Sequence, residues 1–272
     1  MADVSPDRGT WIYRYPALVR VGHWTNVVCL TVLTLSGLQI FNAHPALYWG
    51  EDSDFDRPLL SISVVYTREG TPLGVTSVFG AQYDTTGVLG RSMVNGRPVH
   101  RAFPAWLTLP SAQDLATGRV WHFFFAWLFV LNGALYLAYS ARRGRLGREL
   151  LPQRHEWRGI GRVLGEHLRL KLHRTAEYNV LQKLTYGVIV LVVAPVIVLT
   201  GLTMSPAVTA AAPWLLDLFG GRQSARTIHF LLTFAFAVFV VVHVVMVAIS
   251  GFRNNMRSMV TGWYSTRPKG TA

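Results

Sequence analysis

Four long runs without charged residues constrain this chain more than any other feature of its sequence. Val21–Ala43, Val120–Ala141 and Thr227–Phe252 contain no Asp, Glu, Lys or Arg, and Leu184–Leu218 contains only Asp217. A helix needs about 20 apolar residues to cross about 30 Å of hydrocarbon. A soluble four-helix bundle is disfavoured, because each of its helices would carry a charged face. The runs predict an all-α membrane protein, a bundle of four transmembrane helices at about residues 22–41, 120–140, 181–204 and 226–250.

The distribution of the charged residues predicts the orientation in the membrane. Segment 141–180 has ten Arg or Lys against four acids, whereas segment 42–119 has seven acids against six arginines. Basic loops stay in the cytoplasm, so we expect both termini in the cytoplasm and segment 42–119 in the periplasm of a bacterial inner membrane. The net charge of +12 then reflects topology and attraction to anionic lipid, and nucleic-acid binding is disfavoured. The polar start of the chain predicts no cleavable signal peptide.

Two connections between the predicted helices are unusual. Segment 42–119 is several times longer than an ordinary loop. Within it, Leu59–Tyr66, Thr67–Gly70 and Val75–Phe79 have the pattern of a strand, a turn and a second strand, as in a β-hairpin. Residues His155–Arg174 space apolar side chains at helical intervals among basic ones, which predicts a helix lying on the cytoplasmic leaflet. We expect residues 1–272 to form one domain.

Four of the nine histidines, His23, His122, His229 and His243, lie in the transmembrane runs. Ionisable residues there are candidates for functional sites. His229 and His243 are fourteen residues apart, so on one helix they point within about 40° of each other and differ in height by about 21 Å. The predicted helix directions place His23 at the depth of His243 and His122 at the depth of His229. The four histidines therefore form two pairs with none left over.

Two pairs at two depths favour two bis-imidazole haems over other uses of these histidines. A zinc or copper site needs ligands that converge on one point. A histidine-lined metal permease needs a polar path, yet the runs hold no carboxylate except Asp217 at one edge. Any single histidine could also be a hydrogen-bonded packing residue. The single cysteine, Cys29, excludes a disulfide framework, a Cys-rich metal site and covalent haem attachment.

Arginines and glycines near the histidines agree with haem but also have ordinary interpretations. Arg20 and Arg226 each precede a histidine by three residues at a predicted membrane surface. They would neutralise haem propionates there, or serve as snorkelling anchors. Small residues inside the helices would admit either a flat macrocycle or a neighbouring helix; they are Gly37, Gly133, Gly187 and Gly201.

The residues around the histidines resemble the bacterial di-haem cytochrome b561 family, which includes membrane subunits of hydrogenase, formate dehydrogenase and thiosulfate reductase. The resemblance implies two non-covalent b haems held by the pairs His23–His243 and His122–His229. It also implies a quinone site beside the inner haem at Asn179, with Tyr178 and Gln182 as neighbours; helix capping is the ordinary interpretation of Asn179. The matching segments are Arg20–Trp24, Val120–Phe123, Tyr178–Tyr186, Arg226–His229 and His243, and segment 42–119 is not among them.

The leading hypothesis from this resemblance is a cytochrome b that carries electrons between the quinone pool and a periplasmic oxidoreductase, as the electron-transfer subunit of a complex. The partner would be a molybdenum enzyme, a hydrogenase or a cytochrome c-like protein. The alternative is a stand-alone oxidoreductase that passes electrons from a small periplasmic donor or superoxide to quinone. Aromatic residues in segment 42–119 favour protein recognition, or the segment caps the outer haem; they are Trp49, Tyr66, Phe79, Tyr83, Phe103 and Trp106.

Overall fold

The computed structural model describes residues 10–153, 155–161, 165 and 179–266. Within these residues, four helices are long and apolar enough to cross a membrane, as predicted. Large apolar side chains on them are exposed, among them Val28, Trp127 and Val241, as expected of surfaces that face lipid. In chain order the helices are α1 (Ala17–Phe41), α2 (Leu115–Arg142), α3 (Arg145–Glu149), α4 (Val180–Thr203), α5 (Pro206–Ala211), α6 (Trp214–Leu218) and α7 (Arg222–Thr261).

Three of the spanning helices, α1, α2 and α7, start four or five residues earlier than predicted. In α2 and α7, polar groups satisfy the first backbone N–H groups of the helix. At the start of α2, the Asp114 carboxylate accepts hydrogen bonds from the backbone N–H of Thr117 (3.0 Å) and from its hydroxyl (2.6 Å). At the start of α7, the Gly50 carbonyl accepts from the N–H groups of Gln223 (3.0 Å) and Ser224 (3.1 Å). Such caps stabilise a helix end that an apolar pattern does not reveal.

Two helices are locally irregular. A π-helical turn, Ile189–Val193, interrupts α4 just before Pro195. Proline has no N–H to donate to the preceding turn and its ring crowds that turn, which accounts for the wider turn. In α7, Gly251 has φ 120° and ψ 68°, a conformation that glycine adopts without steric cost. The regular part of α7 therefore ends at the predicted boundary near residue 250, and a further helical segment follows.

The predicted hairpin is present, and segment 42–119 contains more β-structure than predicted. Strands β2 (Ala46–Leu47), β3 (Leu60–Tyr66), β4 (Pro72–Val78) and β5 (Ala81–Asp84) form one antiparallel sheet in that order. In the hairpin, the β3–β4 pairing runs from Leu60 opposite Val78 to Tyr66 opposite Pro72. The all-α description refers to the membrane-spanning helices, and the β-structure lies in the segment that connects the first two of them.

A second hairpin follows the sheet. Strands β6 (Gly90–Val94) and β7 (Arg97–Arg101) pair through a turn at Asn95 and Gly96, both with positive φ. Asn-Gly favours this tight two-residue turn, because both of its central residues need positive φ. The hairpin ends close to α1, where the backbone N–H of Phe103 donates to the Asn42 side chain (2.7 Å). A buried core joins the segment to α1; it consists of Leu38, Phe41, Leu47, Ile62, Ala102 and Phe103.

The two ends of the described chain pair with each other. Strand β1 (Trp11–Tyr13) lies antiparallel to β8 (Trp263–Ser265), an arrangement that the sequence did not predict because three-residue strands carry almost no pattern. Of the helix predicted over His155–Arg174, residues 154, 162–164 and 166–174 lie outside the described residues, as does Tyr178. The described part contains a 3₁₀ turn at Glu156–Gly159.

The chain divides into two compact units. One comprises the described parts of Met1–Thr25, Asn132–Val192 and Phe236–Ala272, and the other comprises Asn26–Leu131 and Val193–Ala235. All four spanning helices contribute to both units, so neither unit is a continuous stretch of chain. Each unit contains one of the two histidine pairs.

Candidate haem-binding sites

The first unit places His23 of α1 opposite His243 of α7. Their ring centroids are 6.3 Å apart and the ring planes are inclined by 52°. The Phe239 ring stacks on His243 at 5.8 Å and the Tyr186 ring lies 6.3 Å from it. We name this arrangement the His23 site; its walls are aromatic.

Hydrogen bonds to the C-terminal part of α7 hold the start of α1 at the His23 site. The Arg20 guanidinium donates to the Val260 carbonyl, and the Trp24 indole N–H donates to the Met259 carbonyl at 3.2 Å. Arg20 was predicted as a propionate partner, and in the structure its guanidinium is bound to a backbone carbonyl of α7. Its buried Nε has no hydrogen-bond partner among the described residues. The buried His23 Nδ1 also has none there. The propionate role of Arg20 stays a prediction.

The second unit places His122 of α2 opposite His229 of α7. Their ring centroids are 6.2 Å apart, with the planes inclined by 60°. We name this arrangement the His122 site. The structure thus brings together the same two pairs that the helix directions suggested, and their role as haem ligands stays a prediction.

Polar groups on neighbouring helices bind the Nδ1 atoms of both histidines in the His122 site. The His229 Nδ1–H donates to the Ile197 carbonyl (2.9 Å), with the Thr200 hydroxyl 3.2 Å away. The Ser36 hydroxyl donates to the Val32 carbonyl (2.6 Å), so its oxygen accepts from the His122 Nδ1–H at 3.1 Å. A proton on Nδ1 leaves the Nε2 lone pair available to a metal, which is the usual arrangement of metal-binding histidines.

A glycine follows both Ser36 and Thr200 in the sequence, and its lack of a side chain leaves room for the imidazole ring beside it. A Cβ added to Gly37 would lie 3.4 Å from Cε1 of His122, and one added to Gly201 would lie 3.2 Å from Cε1 of His229. The surroundings of Gly187 and Gly133 are different. Gly187 packs against the backbone of Leu150, and a Cβ added to Gly133 would have no atom within 4 Å.

Sequence reasoning missed the hydroxyl groups of the His122 site, although the sequence carries a short signal for them. Leu35–Leu38 reads Leu-Ser-Gly-Leu and Leu199–Leu202 reads Leu-Thr-Gly-Leu. Four residues are too few to stand out as a repeat among many similar apolar segments. In the structure the two segments have equivalent positions: the Ser36 hydroxyl contacts Nδ1 of His122, and the Thr200 hydroxyl lies 3.2 Å from Nδ1 of His229.

The end of α7 at the His122 site is bound to the residues that follow α1. The Arg226 guanidinium donates to the His44 carbonyl and lies over the Phe41 ring, 5.6 Å from its centroid. The Thr227 hydroxyl donates to the Tyr48 carbonyl at 2.6 Å. These contacts fix the turn of α7 that carries His229. Arg226 was predicted as a propionate partner, and that role stays a prediction.

The spacing of the rings in both pairs fits one iron between them. An imidazole nitrogen binds a metal at about 2 Å, so two imidazoles on opposite sides of one iron have ring centres about 6 Å apart. The observed separations are 6.3 and 6.2 Å. Within the described residues, no three His, Cys, Asp or Glu side chains converge on one point as a metal cluster. Each pair can therefore offer two histidine nitrogens to an iron whose remaining ligands come from a macrocycle.

Asn179, predicted to bind quinone, caps α4. Its side-chain oxygen accepts from the Gln182 N–H (2.9 Å), and the Gln182 side chain accepts from the Asn179 N–H (3.1 Å). This reciprocal pair is a capping box. One residue further on, Lys183 donates to Glu156 at 2.8 Å and holds the pKa of that carboxyl below its ordinary value. The capping role is observed and does not test the quinone role.

A bundle with four membrane-spanning helices and two facing histidine pairs has the architecture of a membrane-bound cytochrome b. Residues 14–262 match the family described as prokaryotic cytochrome b561, and the chain belongs to that family. It is accordingly a multi-pass membrane cytochrome that binds b-type haem and takes part in electron transport.

A curated relative matches most of the chain. It is YedZ1 of Azospira oryzae, a proposed subunit of a protein-methionine-sulfoxide reductase, and it is 28% identical over 237 residues. The match covers 86% of this chain and 90% of the relative. No solved structure matches the chain.

Proposed function

We propose that this protein binds two b haems and carries electrons across the inner membrane between quinone and a periplasmic redox enzyme. The observation that carries the proposal is the presence of two histidine pairs with ring separations of 6.3 and 6.2 Å. Each b haem supplies one-electron redox chemistry when it is bound. Two histidines per iron leave no open coordination position, which favours electron transfer over oxygen chemistry.

The charge distribution supports an orientation for the two sites. With both termini in the cytoplasm, α1 runs outward, so the His23 site lies near the cytoplasmic surface and the His122 site near the periplasmic one. The β-structured segment then lies in the periplasm on the side of the His122 site. Quinone binding is assigned to the cytoplasmic side, at Asn179 and Gln182.

The relative supports a periplasmic partner of the reductase class. YedZ1 is described as a subunit of a methionine-sulfoxide reductase, so we propose a periplasmic reductase as the partner of this chain. Exposed aromatic side chains on the β-structured segment suit protein docking. Phe103 does not belong to that surface, because it is 6% exposed and packs on Phe41. The exposed aromatics are Trp49, Tyr66, Phe79, Tyr83 and Trp106.

Counting the haems tests the central proposal. A pyridine haemochrome assay on the purified chain should give two b haems per polypeptide. A folded protein with one haem or none contradicts the proposal.

Copurification separates the leading function from the stand-alone alternative. A stable periplasmic partner supports the subunit hypothesis, whereas full quinone-reducing activity of the isolated chain with a small donor supports the alternative. Trp49→Ala with Trp106→Ala is a sharper test of docking than shortening the segment, because Leu47, Ile62 and Phe103 belong to the core that includes α1. Normal haem spectra with lost association would support docking. Persistent association of this variant with the partner would show that Trp49 and Trp106 are not needed for docking.

A further inference from the structure

Arg101, at the end of β7, is a buried cation with no carboxylate partner among the described residues. Its side chain is 6% exposed. Its guanidinium donates to the Ser111 carbonyl (2.7 Å), the Gln39 side-chain oxygen (2.9 Å) and the Thr108 hydroxyl (2.7 Å), all of them neutral groups. Its Nε has no partner among the described residues. Burial lowers the pKa of Arg101, with no acidic group acting in the opposite direction.

A buried charge is costly unless an opposite charge compensates it. Among the described residues, no Asp or Glu lies within ion-pair distance of Arg101 or of Arg226. Two buried or partly buried guanidinium groups in one unit thus have no anionic partner in the described part of the chain. Such groups point to an anionic ligand that the protein binds.

Helical geometry places Arg101 one turn beyond the His122 ligand. Its partner Gln39 lies three residues after Ser36, which binds His122, so both face the same side of α1. Gly118, four residues before His122, packs on the same glutamine: an added Cβ would lie 2.9 Å from Gln39 Cγ. Arg101 is therefore one helical turn from His122, toward the end of α1.

Arg226 has the matching position on the opposite side of the site. It lies three residues before His229, which is one turn of α7 in the direction of the chain start. Helix α7 begins at the end of the site where α1 finishes, since the Phe41 ring lies beside both Arg226 and Phe230. Helix α2 also begins there, since Gly118 in its first turn packs on Gln39 near the end of α1. From these contacts we infer that the two arginines lie at the same end of the His122 site, one about a helical turn beyond each histidine. A b haem presents two propionate carboxylates on one edge.

We propose that the Arg101 guanidinium, supplied by β7, binds a propionate carboxylate of the haem held by His122 and His229, opposite Arg226. The inference rests on the proposed two-haem function. It makes the β-structured segment part of a haem site as well as a docking surface. The carboxylate would accept charge-assisted hydrogen bonds from a guanidinium whose Nε has no partner and whose charge has no counter-ion among the residues with described positions.

Potentiometric titration of both haems in the full chain tests this inference. Arg101→Gln should lower the reduction equilibrium constant of one haem at least tenfold, which is 59 mV for one electron, because a nearby cation favours the reduced state. The other haem should keep its potential. Arg101→Lys should retain much of the wild-type value. Arg97→Gln is the matched control, since it removes the same charge from an exposed position on the same strand and should change neither haem.

A second variant keeps the inference testable if Arg101→Gln loses the haem. Gln39→Glu supplies a carboxylate next to Arg101 without removing it, and should lower the potential of the same haem. A fully occupied site with an unchanged potential in Gln39→Glu would overturn the inference. Redox-difference infrared spectra with haem ¹³C-labelled in its propionate carboxyls add a direct readout: the labelled band should shift in Arg101→Gln and not in Arg97→Gln.

The outcomes distinguish this inference from the proposed function. If the wild-type chain holds fewer than two haems, the two-haem proposal fails before any variant is measured. If both haems are present and Arg101→Gln changes neither the potential nor the propionate band, Arg101 only anchors the β-structured segment to α1, and the inference is wrong.

Discussion

The two histidine pairs have almost equal ring separations and very different surroundings. In the His122 site, both Nδ1 atoms meet oxygen atoms on neighbouring helices. In the His23 site, His23 Nδ1 has no partner among the described residues, and His243 is packed by Phe239 and Tyr186. Because both sites consist of two histidines, differences between them must come from the groups around the histidines.

Hydrogen bonding at Nδ1 is one physical route by which two bis-histidine haems acquire different potentials. An imidazole that donates its Nδ1–H to an oxygen becomes a more electron-rich ligand. An electron-rich ligand stabilises the oxidised metal and lowers the reduction potential. The acceptors at the two Nδ1–H groups, the Ser36 hydroxyl and the Ile197 carbonyl, would therefore lower the potential of a haem bound in the His122 site, whereas Arg101 and Arg226 would act in the opposite direction.

The largest effect is expected from deleting the ligands. His122→Ala and His229→Ala should each remove the same haem, and His23→Ala and His243→Ala should each remove the other, because one imidazole cannot hold a six-coordinate iron alone. Redox titration of the four variants identifies which component is lost. If His23→Ala and His122→Ala abolished the same component, the division into two sites would be wrong.

A smaller effect is expected from filling the space beside His229. Gly201→Ala introduces a methyl group 3.2 Å from the imidazole, which should force the ring aside at a cost of about 1–3 kcal/mol. The haem of the His122 site should be lost at a lower temperature, as followed by its absorbance on heating. Gly133→Ala is the control, since an added Cβ there meets no atom within 4 Å. Equal behaviour of the two variants would show that His229 has room to move.

Removing the hydroxyl groups tests the difference between the sites directly. Ser36→Ala combined with Thr200→Val should raise the potential of the His122-site haem by about 20–60 mV, as expected for hydrogen bonds of about 0.5–1.5 kcal/mol. Most of the change should come from Ser36, because the Ile197 carbonyl still accepts from the His229 Nδ1–H in the variant. The potential of the other haem should not change. Thr203→Val serves as the control, because the Thr203 hydroxyl donates to the Thr200 carbonyl and not to a histidine. An unchanged potential in the double variant would leave the arginines as the source of any difference.

The smallest effect concerns the quinone assignment beside the His23 site. Asn179→Ala removes the cap of α4 and should cost about 1 kcal/mol of stability. Asn179→Ser keeps an N-cap hydroxyl but removes the amide, so it should preserve stability and slow electron exchange with a quinol analogue. Stopped-flow haem reduction measures this rate. A wild-type rate in Asn179→Ser would limit Asn179 to capping.

The helices were predictable because transmembrane length and absence of charge are properties of consecutive residues. The ends were less predictable: α7 begins at Arg222 because Gly50 and Glu51, far away in the chain, accept its first N–H groups. The hairpin of β3 and β4 was visible in its alternation and turn. The pairing of β1 with β8 was not, since it joins residues about 250 positions apart.

The sequence by itself determined the four spanning helices, the positions of four histidines on them, and, through helix direction, which histidines could meet. These follow from hydrophobic length, from charge asymmetry and from the helical repeat. Only the tertiary structure decided what surrounds the histidines. Ser36 reaches His122 across 86 residues and Gln39 reaches Arg101 across 62. Such contacts depend on how separate segments pack, and local pattern contains no information on packing between distant segments.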